Sequence, residues 1–337
     1  MSNPKVSVII LNWNGKNYLE RFLPSVCASS YPELEIIVAD NASTDDSIDF
    51  LNTNFPKVRI IENKQNYGFA GGYNKALEKV HADYYILLNS DVEVTSNWIE
   101  PVISLLESDK TVAAAQPKLK DWNRKDFFEY AGAAGGLIDK FGYPFCRGRI
   151  FDTIEEDTGQ YESTEEVFWA SGAAFFIRSS CWKEARGFNP HFFAHMEEID
   201  LCWRLKNLGY KVMYCPDSTV YHIGGGTLNK ENPHKTYLNF RNNLLMLYKN
   251  LPAGRAAFII SIRFCLDFIS LLKFISEGTF KNAFAINKAH FYFLKMILTG
   301  SIHKLKDFSS FNHKGFFSKS IVWEYFARGK RKYTELN

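Results

Sequence analysis

Asp40 is the first residue whose type and neighbours suit binding chemistry. It ends a short apolar run and is followed by a loop of small hydroxyl and amide residues. A carboxylate in this position can accept a hydrogen bond from the ring N–H of a uracil or thymine base. Asp also favours turns, so the same residue can simply cap its loop. The local pattern leaves both interpretations open.

A polar triplet, Asn89-Ser90-Asp91, follows another apolar run directly. A carboxylate at a strand end suits a hard cation such as Mg²⁺ or Mn²⁺, which takes oxygen ligands and accepts one or two carboxylates together with phosphate. The alternative is that the triplet caps a helix over Val92–Leu106.

The third candidate is the acidic stretch Glu197-Glu198-Ile199-Asp200, which opens a predicted helix. Acidic residues are favourable at a helix start for electrostatic reasons alone. At helical spacing, however, Glu198 shares its face with apolar residues three, four and seven positions later, and an apolar setting raises the pKa of a carboxyl group toward the range of a general base. Asp200 and Arg204 are an i, i+4 pair and are predicted to be structural. The apolar residues on the face of Glu198 are Leu201, Cys202 and Leu205.

His222 ends a predicted strand, just before a run of glycines at 224–226. A neutral imidazole at a strand end can bind a metal ion or contact a phosphate. A histidine that is buried and hydrogen-bonded in the core is the alternative.

Short β-rich runs that alternate with helical spacers predict a parallel α/β sheet in the first part of the chain. Three of the four runs end in a loop that carries Asn or Asp. In such sheets ligands bind beyond the carboxyl ends of the strands, so these polar groups are expected to converge there. The predicted strands are Val6–Leu11, Leu34–Ala39, Val58–Ile61 and Tyr84–Leu88, and the predicted helix is Ala70–Val80.

The middle of the chain is less regular. Residues 121–166 are rich in Gly, Asp and Glu and predict loops with short strands. Beyond them we predict a strand over Val167–Ile177, a helix over Glu197–Leu208, and strands over Lys211–Tyr214 and Thr219–His222.

Composition divides the 337 residues into two parts. Residues 236–337 carry 16 Lys and Arg against 5 Asp and Glu, whereas residues 1–235 carry 24 against 32. A basic, aromatic-rich end on an acidic body indicates attachment to an anionic surface, either a membrane or a nucleic acid. The six scattered cysteines do not form a disulfide framework or zinc-ribbon pattern, and the first apolar run has the length of a strand rather than of a signal peptide.

The C-terminal part predicts amphipathic helices over Ala256–Ile275 and Ala283–Thr299. In the first of them Arg263, Asp267 and Ser270 form one narrow polar stripe. A central Arg and Asp argue against a membrane-spanning helix and favour one that lies at a membrane surface.

Together these segments resemble the family 2 glycosyltransferases of GT-A fold, especially the bacterial rhamnosyltransferase-like branch. The resemblance spans roughly residues 4 to 252, and its specificity lies in the ordered combination of motifs. The matching segments are Val6–Gly15, Val38–Ser47, Asn63–Ala76, Leu87–Val92, Gly172–Arg178, Phe188–Gly209, Tyr221–Thr227 and Arg241–Pro252.

The resemblance implies transfer of a sugar, with inversion, from a nucleotide-diphosphate donor such as a UDP- or dTDP-sugar, with dTDP-rhamnose as one option, and a Mg²⁺ or Mn²⁺ ion. Asp91 matches the last Asp of the D-x-D metal motif, while Asn89 replaces the first. Glu198 occupies the general-base position, which usually holds Asp, with Glu197 as a rival, and His222 is a further metal or diphosphate contact. The implied donor contacts are Leu11, Asn12, Asp40, Asn41, Asn66, Gly68, Asn89 and Ser90, and Trp169 and Gly172 are placed on the acceptor side.

The expected architecture is a GT-A domain over residues 1–235, a mostly parallel sheet flanked by helices, followed by a basic helical membrane-surface region over 236–337. The expected location is the inner face of the cytoplasmic membrane, where a glycan or lipid-linked acceptor would lie. A non-catalytic nucleotide-sugar sensor or scaffold is the main alternative. A nucleic-acid binder is disfavoured by the acidic body, and a nucleotidyltransferase by the lack of a basic loop at residues 12–15.

Overall fold

The computed structural model describes residues 3–224, 232–304 and 313–336. Fourteen strands in these ranges form a central sheet of nine and a second sheet of five. The strands are β1 (Val6–Asn12), β2 (Leu34–Asp40), β3 (Arg59–Glu62), β4 (Tyr84–Asn89), β5 (Val92–Val94), β6 (Val112–Asp121), β7 (Gly136–Asp139), β8 (Pro144–Cys146), β9 (Arg149–Ile150), β10 (Thr153–Ile154), β11 (Glu165–Glu166), β12 (Ala174–Arg178), β13 (Lys211–His222) and β14 (Phe316–Phe317).

Nine α-helices surround these sheets in the described part of the chain. They are α1 (Lys16–Cys27), α2 (Ser47–Asn54), α3 (Gly68–Leu77), α4 (Glu100–Ser108), α5 (Ser179–Glu184), α6 (Glu197–Asn207), α7 (Pro233–Asn250), α8 (Ala253–Ser276) and α9 (Phe280–Leu298).

The central sheet has the order β11-β13-β6-β12-β4-β1-β2-β3, and β5 pairs with β13. Strands β1 to β4 are the four predicted strands, and they run parallel to one another. Apolar residues occupy both faces of β1 and β4, as expected for parallel strands that are covered on both sides. The predicted α/β class with a mostly parallel sheet and flanking helices is therefore what the structure shows.

Three local predictions differ from the structure. Only the end of the predicted strand over Val167–Ile177 is a strand, because β12 begins at Ala174 and lies antiparallel between β4 and β6. The two strands predicted over 211–222 are one strand, β13, with an irregularity between Cys215 and Thr219. Residues 92–106, the alternative helix, instead form β5 and most of α4.

The irregular middle of the chain forms the second sheet, in which β14 from the C-terminal end pairs in parallel with β7. A small hydrophobic core lies between this second sheet and the C-terminal segment. Its buried members are Leu137, Phe145, Ile150, Ile321, Tyr325 and Leu336.

The hydrophobic core continues across the predicted boundary at residue 235. Leu244 and Leu247 of α7 belong to the same buried cluster as Tyr73 of α3 and Phe175 of β12. Helix α7 therefore packs as part of the same unit as the central sheet. Gly225, Gly226 and Thr227, which complete the glycine run and one of the resembling segments, lie outside the described residues.

The polar stripe of α8 faces the protein and not the solvent. Arg263 and Asp267 are buried: Arg263 hydrogen-bonds to Asn243 of α7, and Asp267 lies 3.0 Å from Nε2 of His290 in α9. A buried charge is stable only when it is paired and hydrogen-bonded, so these contacts determine which face of α8 turns inward. The apolar faces of α8 and α9 are left exposed. No helix among the described residues is long and apolar enough to cross a membrane.

Candidate active site

The parallel register of the central strands aligns polar residues at their carboxyl ends. Asn12 of β1 pairs with Asp40 of β2. On the other side of β1, strand β4 places Asn89 opposite Leu11. Nδ2 of Asn12 donates to Oδ1 of Asp40 at 3.0 Å, and the main-chain N–H of Ser43 donates to Oδ2 at 2.9 Å. An ionised carboxylate has about four acceptor sites, so Asp40 keeps the capacity to accept a further donor.

Asn41 is the centre of a hydrogen-bond network that shapes the loop before α3. Its Nδ2 donates to Oδ1 of Asn66 and to the main-chain oxygen of Gly68, at 2.9 and 3.1 Å. Its Oδ1 accepts from Nδ2 of Asn63 and from the main-chain N–H of Tyr67, both at 3.2 Å. Both donors and both acceptor sites of the amide are used inside the protein, so Asn41 holds the loop in position.

Close backbone approaches bring α3 against the sheet and against the loop before α6. A Cβ added to Gly72 would lie 2.8 Å from Leu11, and one added to Gly68 would lie 2.5 Å from the ring of Phe193. Gly68 has a φ of +71°, which a residue with a side chain rarely adopts. The predicted donor-side residue Leu11 therefore packs against α3 one helical turn after the predicted donor-side residue Gly68.

Asn89, Ser90 and Asp91 turn the chain from β4 into β5, and β5 pairs with the end of β13. Nε2 of His222 lies 3.1 Å from Oδ1 of Asp91 and 3.4 Å from Nδ2 of Asn89. Ser90 lies near the start of α1, where a Cβ on Gly15 would be 3.7 Å from its Oγ. The structure thus brings the predicted polar triplet and the predicted histidine into direct contact.

Glu129, which the sequence did not indicate, completes this cluster. Its Oε1 lies 3.2 Å from Nδ1 of His222, and its Oε2 accepts from the main-chain N–H of Ala131. Burial acts to lower the pKa of His222, but the charges of Asp91 and Glu129 outweigh it and raise that pKa well above the usual value. Burial acts to raise the pKa of Asp91, and the adjacent His222 lowers it overall.

This cluster fits a divalent cation that is also held by its substrate. Two ligands at about 2.1 Å and a right angle to each other are about 3 Å apart, close to the 3.1 Å between Oδ1 of Asp91 and Nε2 of His222. Glu129 lies at the other ring nitrogen of His222, where a carboxylate would orient the imidazole if it bound a metal ion. The described residues contain no group of three or more acidic, His or Cys side chains suited to enclosing a metal ion, so the remaining ligands would be phosphate and water oxygens.

Glu197 and Glu198 begin α6, directly after Met196. Glu197 is buried and Glu198 half-buried, and in both side chains Oε2 is shielded from solvent with no hydrogen-bond partner among the described residues. Burial raises the pKa of Glu198 to about 7, and burial and the charge of Glu198 raise the pKa of Glu197. A Cβ on Gly172 would lie 4.0 Å from Cβ of Glu198, so the predicted acceptor-side glycine faces the predicted base.

The other predicted details of α6 are confirmed. Oδ2 of Asp200 accepts a hydrogen bond from Nε of Arg204 at 2.8 Å, and Oδ1 accepts one from Nδ2 of Asn250 in α7. This buried pair is structural, as predicted. The apolar face shared with Glu198 is fully buried at Leu201, Cys202 and Leu205.

Trp169 lies in the core and is only 3% exposed. Its indole N–H donates to the main-chain oxygen of Leu137 at 2.9 Å, and its ring covers Gly136, where a Cβ would lie 2.1 Å away. These contacts are those of a packing residue, and a contact between Trp169 and an acceptor stays a prediction.

The loop that leads into α6 is strained and is held by α7. Phe193, His195 and Met196 have φ values of +63°, +68° and +73°. Such conformations cost about 1–3 kcal/mol each and persist only where the surrounding structure imposes them. Nδ2 of Asn242 in α7 donates to the main-chain oxygens of Phe192, Ala194 and His195, which lie 2.8–2.9 Å away. Because this loop immediately precedes the two glutamates, Asn242 positions their helix.

Short contacts connect the predicted residues into one region. Asn12 joins Asp40 to the end of β1, and the main-chain N–H of Asn89 in β4 donates to the oxygen of Ala173 at 3.0 Å. Ala173 follows Gly172, which faces Glu198. The donor-side residues, the Asp91–His222 pair and the glutamates therefore lie around the carboxyl ends of β1, β2 and β4.

Comparisons with solved structures agree with this architecture. GalNAc-T7 with UDP, GalNAc and Mn²⁺ superposes with a TM-score of 0.57 at 18% identity, over 72% of this chain and 47% of that one. This chain thus spans less than half of that protein. The mannosyltransferase PcManGT from Pyrobaculum calidifontis, in complex with GDP-Man and Mn²⁺, superposes with a TM-score of 0.53 at 14% identity, over 89% and 80% of the two chains. The fold is the GT-A fold of glycosyltransferases.

The sequence model of glycosyl transferase family 2 matches residues 7–183, and the chain belongs to this family. It is 25% identical over 233 residues to the N-acetylglucosaminyl-diphospho-decaprenol L-rhamnosyltransferase of Mycobacterium tuberculosis, covering 64% of this chain and 75% of that protein.

Replacing Asn242 tests how the loop before α6 is held. In Asn242→Ala the main-chain oxygens of Phe192, Ala194 and His195 each lose one donor, so we expect the free energy of unfolding to fall by about 1–3 kcal/mol and amide hydrogen exchange to accelerate across residues 191–200. Exchange mass spectrometry and urea denaturation measure both effects. Asn239→Ala, at a half-buried position one turn earlier in α7, is the control. Equal exchange in the two variants would contradict the positioning role.

Proposed function

We propose that the chain is an inverting glycosyltransferase that moves a sugar from a UDP- or dTDP-linked donor to a hydroxyl of a glycan or lipid-linked acceptor. The observation that carries this proposal is the placement of the half-buried Glu198, whose Oε2 is shielded from solvent without a hydrogen-bond partner among the described residues, across Gly172 from strand ends that hold Asp40 and the Asp91–His222 pair. The mycobacterial relative is named for L-rhamnosyl transfer to a diphospho-decaprenol-linked sugar. dTDP-rhamnose is therefore the first donor to test.

Binding of the donor base is assigned to the end of β2. The carboxylate of Asp40 is buried and held by Asn12 and Ser43, with acceptor capacity left for a ring N–H of uracil or thymine. The loop ordered by Asn41 and Asn66 lies beside it and would bound the nucleoside.

Asp91 and His222 are the residues that would hold Mg²⁺ or Mn²⁺. Such an ion would neutralise charge on the diphosphate as it leaves. Solved structures with the same fold contain Mn²⁺, which supports this assignment. In our proposal Glu129 orients the imidazole of His222 through Nδ1, and Asn89 occupies the position of the missing first carboxylate.

Glu198 is assigned as the general base. An acceptor hydroxyl is a poor nucleophile at neutral pH, so its proton must pass to a carboxylate as its oxygen bonds to the anomeric carbon and the bond to the diphosphate breaks. A pKa raised to about 7 suits this role, because the group is then substantially ionised at neutral pH and still basic enough to take the proton. Glu197 is the rival, although it is more deeply buried.

Glu198→Gln keeps the shape of the side chain and removes the base. We expect sugar release from the donor to slow by about 10²–10⁴-fold, while the rise in melting temperature on adding donor with Mn²⁺ stays unchanged. Glu197→Gln is the control and should keep most of the activity. In the unaltered chain the rate should rise with pH and level off above about 7, because only the ionised form of Glu198 accepts a proton.

A panel of UDP-, dTDP- and GDP-sugars, assayed by release of the nucleoside diphosphate, provides these measurements. Full turnover in Glu198→Gln would remove Glu198 from the base role, and loss of turnover only in Glu197→Gln would assign that role to its neighbour. Donor binding with neither hydrolysis nor transfer in the unaltered chain would instead favour a nucleotide-sugar sensor.

We further propose that α8 and α9, the helical hairpin, dock on the anionic inner face of the cytoplasmic membrane. Of the seventeen large hydrophobic residues exposed in the described parts of the chain, eleven lie on these two helices. Their single acidic residue, Asp267, is buried, whereas five of their basic residues are exposed. An apolar face flanked by positive charge is the pattern of a helix that binds an anionic membrane surface. The five exposed basic residues are Arg255, Lys273, Lys281, Lys288 and Lys295.

Vesicle co-sedimentation tests the docking of the hairpin. We expect the chain to bind phosphatidylglycerol vesicles, to bind phosphatidylcholine vesicles less, and to be released as salt is raised. Phe268→Ser with Phe291→Ser should weaken binding by about tenfold or more, since each buried Phe contributes roughly 1.5–3 kcal/mol. Trp323→Ser with Phe326→Ser removes equally exposed aromatics outside the hairpin and should have no effect. No binding to anionic vesicles at low salt, or equal effects of the two pairs, would refute the docking.

A further inference from the structure

A groove between the start of α7 and α9 lies outside the site described above. It encloses about 450 Å³. Aromatic and basic side chains line it, and no acidic residue does so in the described structure. Those that matter here are His234, Tyr237, Phe280, Lys281, Phe284 and Lys288.

The groove is positively charged. Nζ of Lys288 lies 5.2 Å from the centre of the Tyr237 ring, and the rings of Tyr237 and His234 stack with their centres 6.0 Å apart. Lys281 and Lys288 are exposed, and neither forms an ion pair with an acidic residue in the ranges the structure describes. Burial and the nearby charges of Lys288 and Arg241 lower the pKa of His234. The groove therefore offers two ammonium groups with no internal counter-charge.

The groove adjoins the active site through the loop before α6. The ring of Phe193 contacts His234, with centres 6.4 Å apart, and the same ring lies against Gly68 of the donor-side loop. Ala194 packs against the buried cluster that contains Tyr237 and Ala285, two residues of the groove. The groove therefore lies against the loop that leads into α6 and Glu198.

The groove also opens onto the apolar surface of the hairpin. Phe280 and Phe284 line it and are 65% and 70% exposed. Large exposed aromatic side chains beside two ammonium groups match a ligand that is anionic at one end and apolar at the other. A sugar or a free nucleotide would satisfy only part of this surface.

We propose that this groove binds the diphosphate of a lipid-linked acceptor. Lys281 and Lys288 contact the phosphate oxygens, and Phe280 and Phe284 contact the first carbons of the lipid chain. This inference rests on the proposed function, because it places the anionic part of the acceptor against the loop that precedes the proposed general base.

Calorimetric titration of the full chain with farnesyl diphosphate tests the proposal, with inorganic pyrophosphate and farnesol as the two halves of the probe. Lys281→Ala with Lys288→Ala should weaken binding of farnesyl diphosphate by about tenfold or more, the scale expected for lost hydrogen bonds to a charged group. Lys273→Ala with Lys295→Ala removes two exposed lysines of the hairpin that do not line the groove, and should leave binding unchanged. Pyrophosphate and farnesol should each bind more weakly than the intact probe.

Three results would overturn the proposal: equal affinity in the two double variants and the unaltered chain, equal losses in both double variants, or pyrophosphate binding as tightly as farnesyl diphosphate. Loss of binding to phosphatidylglycerol vesicles with unchanged farnesyl diphosphate affinity would assign the lysines to the membrane surface instead. Donor-induced melting shifts and donor hydrolysis are measured on the same samples. If these persist while the groove prediction fails, the proposed function stands without it, and if they are absent in the unaltered chain, the proposed function itself is wrong.

Discussion

The parallel pairing of β1 with β2 and β4 is the constraint on which the active site depends. It places Asn12, Asp40 and Asn89 at one edge of a sheet whose two faces are covered. Buried polar groups must find hydrogen-bond partners, and here they find one another, which fixes the carboxylate of Asp40 and the turn that carries Asp91. A one-residue shift of β1 would direct the side chain of Asn12 to the opposite face of the sheet, away from Asp40.

Helix α7 links this edge to the rest of the molecule. Its residue Asn242 holds the strained loop before Glu198, and Asn250 binds the buried Asp200 of the same catalytic helix. Directly after Asn242, Asn243 accepts a hydrogen bond from Arg263 of the hairpin. The same helix therefore holds the loop before Glu198, the general base of our proposal, and sets the inward face of the hairpin. In our account the acceptor site and the membrane-facing surface are consequently held in one fixed relation to the donor site.

Features that depend on short-range sequence patterns can be predicted from the sequence. The ends of β1, β2 and β4, and the inward direction of Glu198, follow from apolar runs and helical spacing, and the structure agrees. Glu129 could not be found this way, because its contact with His222 depends on how β6 and β13 pair. The polar stripe of Arg263 and Asp267 can be identified in the sequence, but a periodic pattern does not determine which face of the helix turns inward. That depends on partners in α7 and α9, which only the tertiary structure supplies.

Anomalous diffraction from crystals grown with Mn²⁺ and a nucleoside diphosphate would show whether Asp91, His222 and Asp40 form one donor site. We expect one manganese peak in contact with the carboxylate of Asp91 and with Nε2 of His222. The phosphates should complete the coordination of the manganese ion, and the nucleobase should lie against Asp40. Manganese bound elsewhere, or a nucleobase placed away from the end of β2, would contradict this assignment.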